Sequence, residues 1–211
     1  MWLLTAIFSL LTTNLIFTRA LGTSTMMAAA KNSSRLPVLS LLMTVFSVLS
    51  CLGVQLLLYP LGLAGMLTYP YYLGLPLLYV AVIGVIYLAA LIVTRIAFRS
   101  KMSGIKKYIH LSAFNCAVMG TLYLAFSPDG LAPSTEHSLE LFGLLSGDLR
   151  EPMTAVLFGM QEGLGFLLAS LMLSAVWERL HDAEVPAAFR GLPAVMVFIG
   201  LISMAVYAIT V

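Results

Sequence analysis

Residues 36–59, LPVLSLLMTVFSVLSCLGVQLLLY, run for 24 positions without a charge. A helix rises about 1.5 Å per residue, so this stretch is long enough to cross the roughly 30 Å hydrocarbon core of a bilayer. Five further runs on either side of it are also predominantly apolar: Trp2–Leu21, Tyr71–Thr94, Tyr108–Phe126, Met153–Trp177 and Leu192–Val211. A soluble protein can bury one such helix, but six in 211 residues could not all find a core. The composition agrees, because 61% hydrophobic and 9% charged residues leave too few charges to cover a water-soluble globule. The sequence therefore predicts an all-α integral membrane protein with six transmembrane helices.

The charges set an orientation. Ten of the eleven Lys and Arg residues fall in the odd-numbered gaps: Arg19, Lys31 and Arg35 in the first; Arg95, Arg99, Lys101, Lys106 and Lys107 in the third; Arg179 and Arg190 in the fifth. Arg150 alone stands in an even-numbered gap. Short gaps rich in basic residues stay cytoplasmic, which places both termini on the outer face. A net charge of +2, segregated by side of the membrane, gives no surface for nucleic acid. Trp2–Leu21 lacks the basic region that opens a signal peptide, and Gly22–Thr25 is a weak cleavage site, so the run is kept as a span. The fourth gap, Ser127 to Pro152, carries Asp129, Glu136, Glu140, Asp148 and Glu151, and reads as a solvated outer segment with a short amphipathic helix from Thr135 to Leu145. The Tyr69-Pro70-Tyr71-Tyr72 cluster bounds the second gap at headgroup level.

Polar residues inside apolar runs are the informative ones, since each needs a partner: Asn14, Arg19, Asn115, Gln161 and Glu162. Arg19 can snorkel to the headgroups. Asn14 and Asn115 are each followed by a glycine, Gly22 and Gly120, and this correspondence points to two inverted three-helix repeats, approximately 1–94 and 105–211, within one membrane domain. Such an Asn either ties helices together or supports a helix break on an ion pathway. Glu162 is either a protonation or ion-binding site or a residue near the outer interface. Gly159, Gly163 and Gly165 permit close helix packing or an unwound segment. Gly191 and Pro193 mark a turn and an early helical proline, so the last helix starts there. Cys51 and Cys116 cannot form a disulfide framework, and Cys51 reads as a packing residue. There is no HExxH, no CxxC and no phosphate-cradling glycine loop, and His110, His137 and His181 lack metal-ligand spacing.

Three stretches, TNLIFTRALG at 13–22, FNCAVMG at 114–120 and ERLHDAEVPAAFRG at 178–191, resemble the A subunit of the Rnf electron-transport complex and the related E subunit of the sodium-translocating NADH:quinone reductase. The resemblance implies a small subunit of a redox-driven ion-translocating oxidoreductase of the bacterial or archaeal cytoplasmic membrane, non-catalytic alone. It implies a homologous six-helix partner of opposite orientation, and further subunits carrying flavin and iron-sulfur centres. It also implies interrupted first and fourth helices, with a [2Fe-2S] cluster shared between the partners relaying electrons while Na+ or H+ moves. Cys116 falls on the family's fourth-helix cysteine ligand. At the matching turn of the first helix the family has a glycine, one residue and a cysteine, whereas this chain reads Leu21-Gly22-Thr23-Ser24-Thr25, placing Ser24 at the expected ligand position. A serine oxygen is a poor substitute for a soft thiolate on iron. The cluster is then retained with an altered ligand set, lost while the scaffold persists, or completed by the partner. The alternative to an electron relay is a cluster-free membrane scaffold or ion carrier. Gln161-Glu162 departs from the family's apolar, small-residue pattern.

Overall fold

A computed structural model describes residues 10–11, 14–31, 35–60, 74–97, 102–126, 152–182, 186 and 188–210. The acidic fourth gap with its amphipathic helix and the tyrosine cluster at 69–72 lie outside them. All regular structure among the described residues is helical: α1 (Leu15–Arg19), α2 (Thr23–Ala30), α3 (Leu36–Leu58), α4 (Leu75–Ala97), α5 (Met102–Ala113), α6 (Cys116–Phe126), α7 (Pro152–Leu180) and α8 (Leu192–Thr210).

The six spans in two inverted repeats are not what is found. Among the described residues four helices are long and apolar enough to cross a membrane: α3, α4, the end-to-end pair α5 and α6 over Gly104–Phe126, and α7. Two places among the described residues depart from the expectation. In the first apolar run, Ala20 (φ 55°) and Gly22 (φ +82°) adopt left-handed backbone, which ends α1 after five residues and starts α2, itself only eight long. In the last helix the apolar stretch, Leu192–Ala208, falls short of a span.

The centre of the fold is the pair α3 and α7. Pro37 and Pro152 sit in their first turns, where a missing N–H costs nothing. On α3 the buried positions Leu36, Leu39, Ser40, Met43, Phe46, Ser47, Ser50, Cys51, Val54 and Leu58 recur every three or four residues and make one stripe. Between lipid-exposed helices apolar burial drives little association, so close approach through small residues does the work. Gly159 and Gly163 of α7, a GxxxG pair, supply it. A β-carbon at Gly159 would lie 2.7 Å from the Cα of Val48, and one at Gly163 would overlap the Oγ1 of Thr44. The helices α1, α2, α5 and α6 pack around this pair. Gly191 (φ +83°) closes a turn in which Phe189 and Arg190 both donate to the Pro186 carbonyl, and α8 starts at Leu192 as expected. Large side chains such as Leu77, Leu88 and Ile96 on α4 and Leu201, Met204 and Tyr207 on α8 are exposed, a surface suited to lipid or to other membrane subunits.

Candidate functional site

Two helix breaks meet. The first separates α1 from α2 at Ala20-Leu21-Gly22, and the second separates α5 from α6 at Phe114-Asn115. A break frees backbone groups that lipid cannot satisfy, so the neighbouring side chains must. The two asparagines do this in the same way. Asn14 Oδ1 accepts from the Ile16 N–H at 2.9 Å, and Asn115 Oδ1 accepts from the Ala117 N–H at 3.0 Å, so each caps the helix that follows it. Their amide nitrogens reach to other helices. Asn14 Nδ2 donates to the Gly165 carbonyl of α7 at 2.7 Å, and Asn115 Nδ2 donates to Met43 Sδ of α3 at 3.2 Å. At the far end of α1, Ala20 N–H donates to the Ile16 carbonyl and Leu21 N–H to that of Leu15, while Ser203 of α8 donates to the Phe17 carbonyl.

The glycines interlock the breaks. Gly22 lies against the second break: a β-carbon there would stand 3.0 Å from Ala117 Cβ and 3.3 Å from Asn115 Oδ1, on a backbone that already favours glycine. Gly120 receives the first break, since its β-carbon would overlap Leu21 Cδ1. The Gly22 N–H donates to Cys116 Sγ at 3.0 Å, which joins the two breaks directly.

A cleft of about 460 Å³ opens beside this contact, lined by Ser24, Thr25, Lys107, His110, Phe114 and Cys116 among others. Ser24 and Cys116 are both exposed. His110 is held by Tyr87, whose hydroxyl lies 2.9 Å from its Nε2, and the Tyr87 ring also packs on Phe114. Cys51 is elsewhere, fully buried and within electrostatic reach of Glu162 of α7. No three His, Cys, Asp or Glu side chains gather into a metal-binding group among the described residues.

Gly22, Ser24, Asn115, Cys116 and Gly120 thus surround the paired breaks, Asn14 stands at the start of α1, and Glu162 is apart from them on α7. Sequence reasoning missed Met43, Gly165 and Leu21, which answer the asparagines and Gly120. It also gave no role to His110, and read Lys107 only as part of the basic third gap. Only Gly165 carried a signal, as part of the glycine cluster of α7.

The chain matches the family model described as "Rnf-Nqr subunit, membrane protein" over residues 2–211. It is similar to the A subunits of ion-translocating oxidoreductase complexes from several bacteria. That of Aromatoleum aromaticum is 35% identical over 98 residues, covering 46% of this chain and 40% of the relative. That of Tolumonas auensis is 31% identical over 103 residues, covering 49% and 43%. That of Shewanella piezotolerans is 28% identical over 213 residues, covering 99% and 96%. The first two alignments thus take in less than half of each relative, and the third nearly all of it. With the family model matched almost from end to end, the chain belongs to the Rnf-Nqr family of membrane subunits.

Proposed function

We propose that this chain is a subunit of an ion-translocating oxidoreductase complex in a bacterial or archaeal cytoplasmic membrane, and that it acts there as a cluster-free scaffold and ion carrier. Its likeness to the A subunits of such complexes supports the assembly. Nicotinamide and flavin chemistry belongs to the other subunits, and the exposed faces of α4 and α8 are available to them, to a homologous membrane partner and to lipid. Exposed Arg95, Lys106 and Lys107 at the junction of α4 and α5 favour the cytoplasmic side for that end.

One observation carries the cluster-free part. Where the family places thiolate ligands, this chain has a single thiol, Cys116, which already accepts the Gly22 N–H, and it shares its cleft with the hydroxyl of Ser24. A [2Fe-2S] cluster takes four soft donors, usually thiolates. One thiol and one hard hydroxyl do not supply the soft donors of that group. What the residues do fit is a mechanical role. Asn14 and Asn115 satisfy freed backbone groups, and Gly22 and Gly120 let the two breaks lock together, so that both unwound turns are held within the membrane.

Iron and acid-labile sulfide in the purified complex test this. Cys116→Ala is expected to leave both contents and electron transfer unchanged. Loss of about two irons per complex on Cys116→Ala would restore a cluster ligand at this position. Failure of the chain to co-purify with redox subunits would remove the subunit reading itself.

A further inference from the structure

Resting on the ion-carrier reading, we propose that Glu162 is a proton-binding carboxyl group in the seam between α3 and α7, and that the ion this subunit takes up is a proton. Glu162 lies ten residues from the Pro152 end of the 29-residue α7, about 15 Å along the axis, which is hydrocarbon depth for a helix that crosses. It stands between Gly159 and Gly163, the residues that bring α7 onto the backbone of α3 at Ser47, Val48 and Thr44. The side chain is half-buried. Among the described residues no ion pair or hydrogen bond to it is found. The α3 side of the seam is polar for a membrane helix, with Ser47, Ser50 and Cys51 all buried, and Ser50 Oγ has no hydrogen-bond partner among the described residues.

Ionisable groups on the helices packed against α7 are few: Arg19 ends α1, Cys51 is on α3, Cys116 and Tyr123 are on α6, and Tyr207 is on α8. Of these, Cys51 is within electrostatic reach of Glu162. A bare carboxylate at this depth with no counter-charge is strongly disfavoured, so the group must hold a cation or a proton. The donor set decides between them. A hard metal cation takes several oxygen ligands, whereas the seam beside Glu162 presents the Ser47 and Ser50 hydroxyls and the soft Cys51 thiol, short of such a shell. A proton needs one carboxylate oxygen.

The test uses membranes that hold the intact complex and a hydrophobic carbodiimide, which attacks protonated carboxyl groups. Mass spectrometry is expected to find Glu162 modified at acidic pH, progressively less as the pH rises, and equally with or without sodium chloride. Proton uptake driven by electron transfer is expected to be lost in Glu162→Gln and kept in Glu162→Asp. An unmodified Glu162, protection by sodium at fixed pH, or normal proton uptake in Glu162→Gln would each overturn the assignment. The labelling reads the chain in its membrane whether or not redox subunits co-purify, so failure of the complex and failure of the carboxyl site give different results.

Discussion

The paired breaks and the α3–α7 seam both hold polar groups in apolar surroundings, and they do so by different means. At the breaks, Asn14 and Asn115 each use both side-chain polar atoms, one on the local backbone and one on a distant helix. At the seam, Ser50 and Ser170 are completely buried hydroxyls with no partner among the described residues, and Glu162 has no ion pair there. The first region is a satisfied polar network, which rigidifies. The second is held by backbone contact at glycines, and while Thr44 bonds back to the Ser40 carbonyl, Ser50 and Ser170 stay unpaired among the described residues. A carrier needs both: a frame that does not move and a group that is free to change its partner.

The largest effect expected from breaking this contrast is at the seam's packing. In Gly159→Leu the new side chain starts 2.7 Å from the Val48 Cα, a backbone atom that cannot step aside. Overpacking of this kind costs about 3 kcal/mol or more where the backbone must shift. Cys51, fully buried in the same stripe of α3, reports on it: in a Cys116→Ser background its alkylation by a thiol reagent is expected to accelerate strongly in Gly159→Leu. An unchanged rate would mean that the two helices are not held by glycine contact.

A smaller loss follows at the breaks. Asn14→Leu leaves the Ile16 N–H without its cap and removes the link to the Gly165 carbonyl. An unsatisfied buried group costs about 1–3 kcal/mol, so thermal unfolding of the detergent-solubilised protein is expected to fall clearly, though less than for Gly159→Leu. Asn115→Leu should cost less than Asn14→Leu. Its second partner is the weak acceptor Met43 Sδ, where Asn14 has a carbonyl. Equal losses would show that the inter-helix bonds contribute little and that the caps alone matter.

What is legible in the residues follows the same division. Long uncharged runs are visible because a helix crossing lipid must be apolar throughout, and Leu36–Tyr59 and Met153–Trp177 differ from the observed α3 and α7 by only a few residues at their ends. The apolar run suggests a fourth span starting at Tyr108, yet the helix begins at Met102, because Lys106 and Lys107 point outward and do not end it. The asparagines and glycines of the breaks stand out because a polar or flexible residue in an apolar run needs a reason. Their partners do not, since no periodicity links residue 14 to 165 or 115 to 43. The left-handed turn at Ala20 is also invisible: nothing in an alanine announces a backbone conformation that costs it about 1 kcal/mol. That turn separates α1 from α2, and it is not announced by the run around it.

The mildest change sharpens the account of how the breaks are joined. Gly120→Ala places a methyl group on Leu21 Cδ1, the far end of a flexible, half-buried side chain, so Leu21 can rotate away and the cost is expected to stay near about 1 kcal/mol. If this contact is what docks the first break on α6, then Leu21→Ala should relieve it. The double variant would be more stable than the sum of the two single losses, a coupling of about 0.5 kcal/mol or more in thermal unfolding. Additive losses would mean that Leu21 and Gly120 are only neighbours, leaving the Gly22 N–H on Cys116 Sγ and the close fit of Gly22 against Ala117 as the contacts that hold the two turns together.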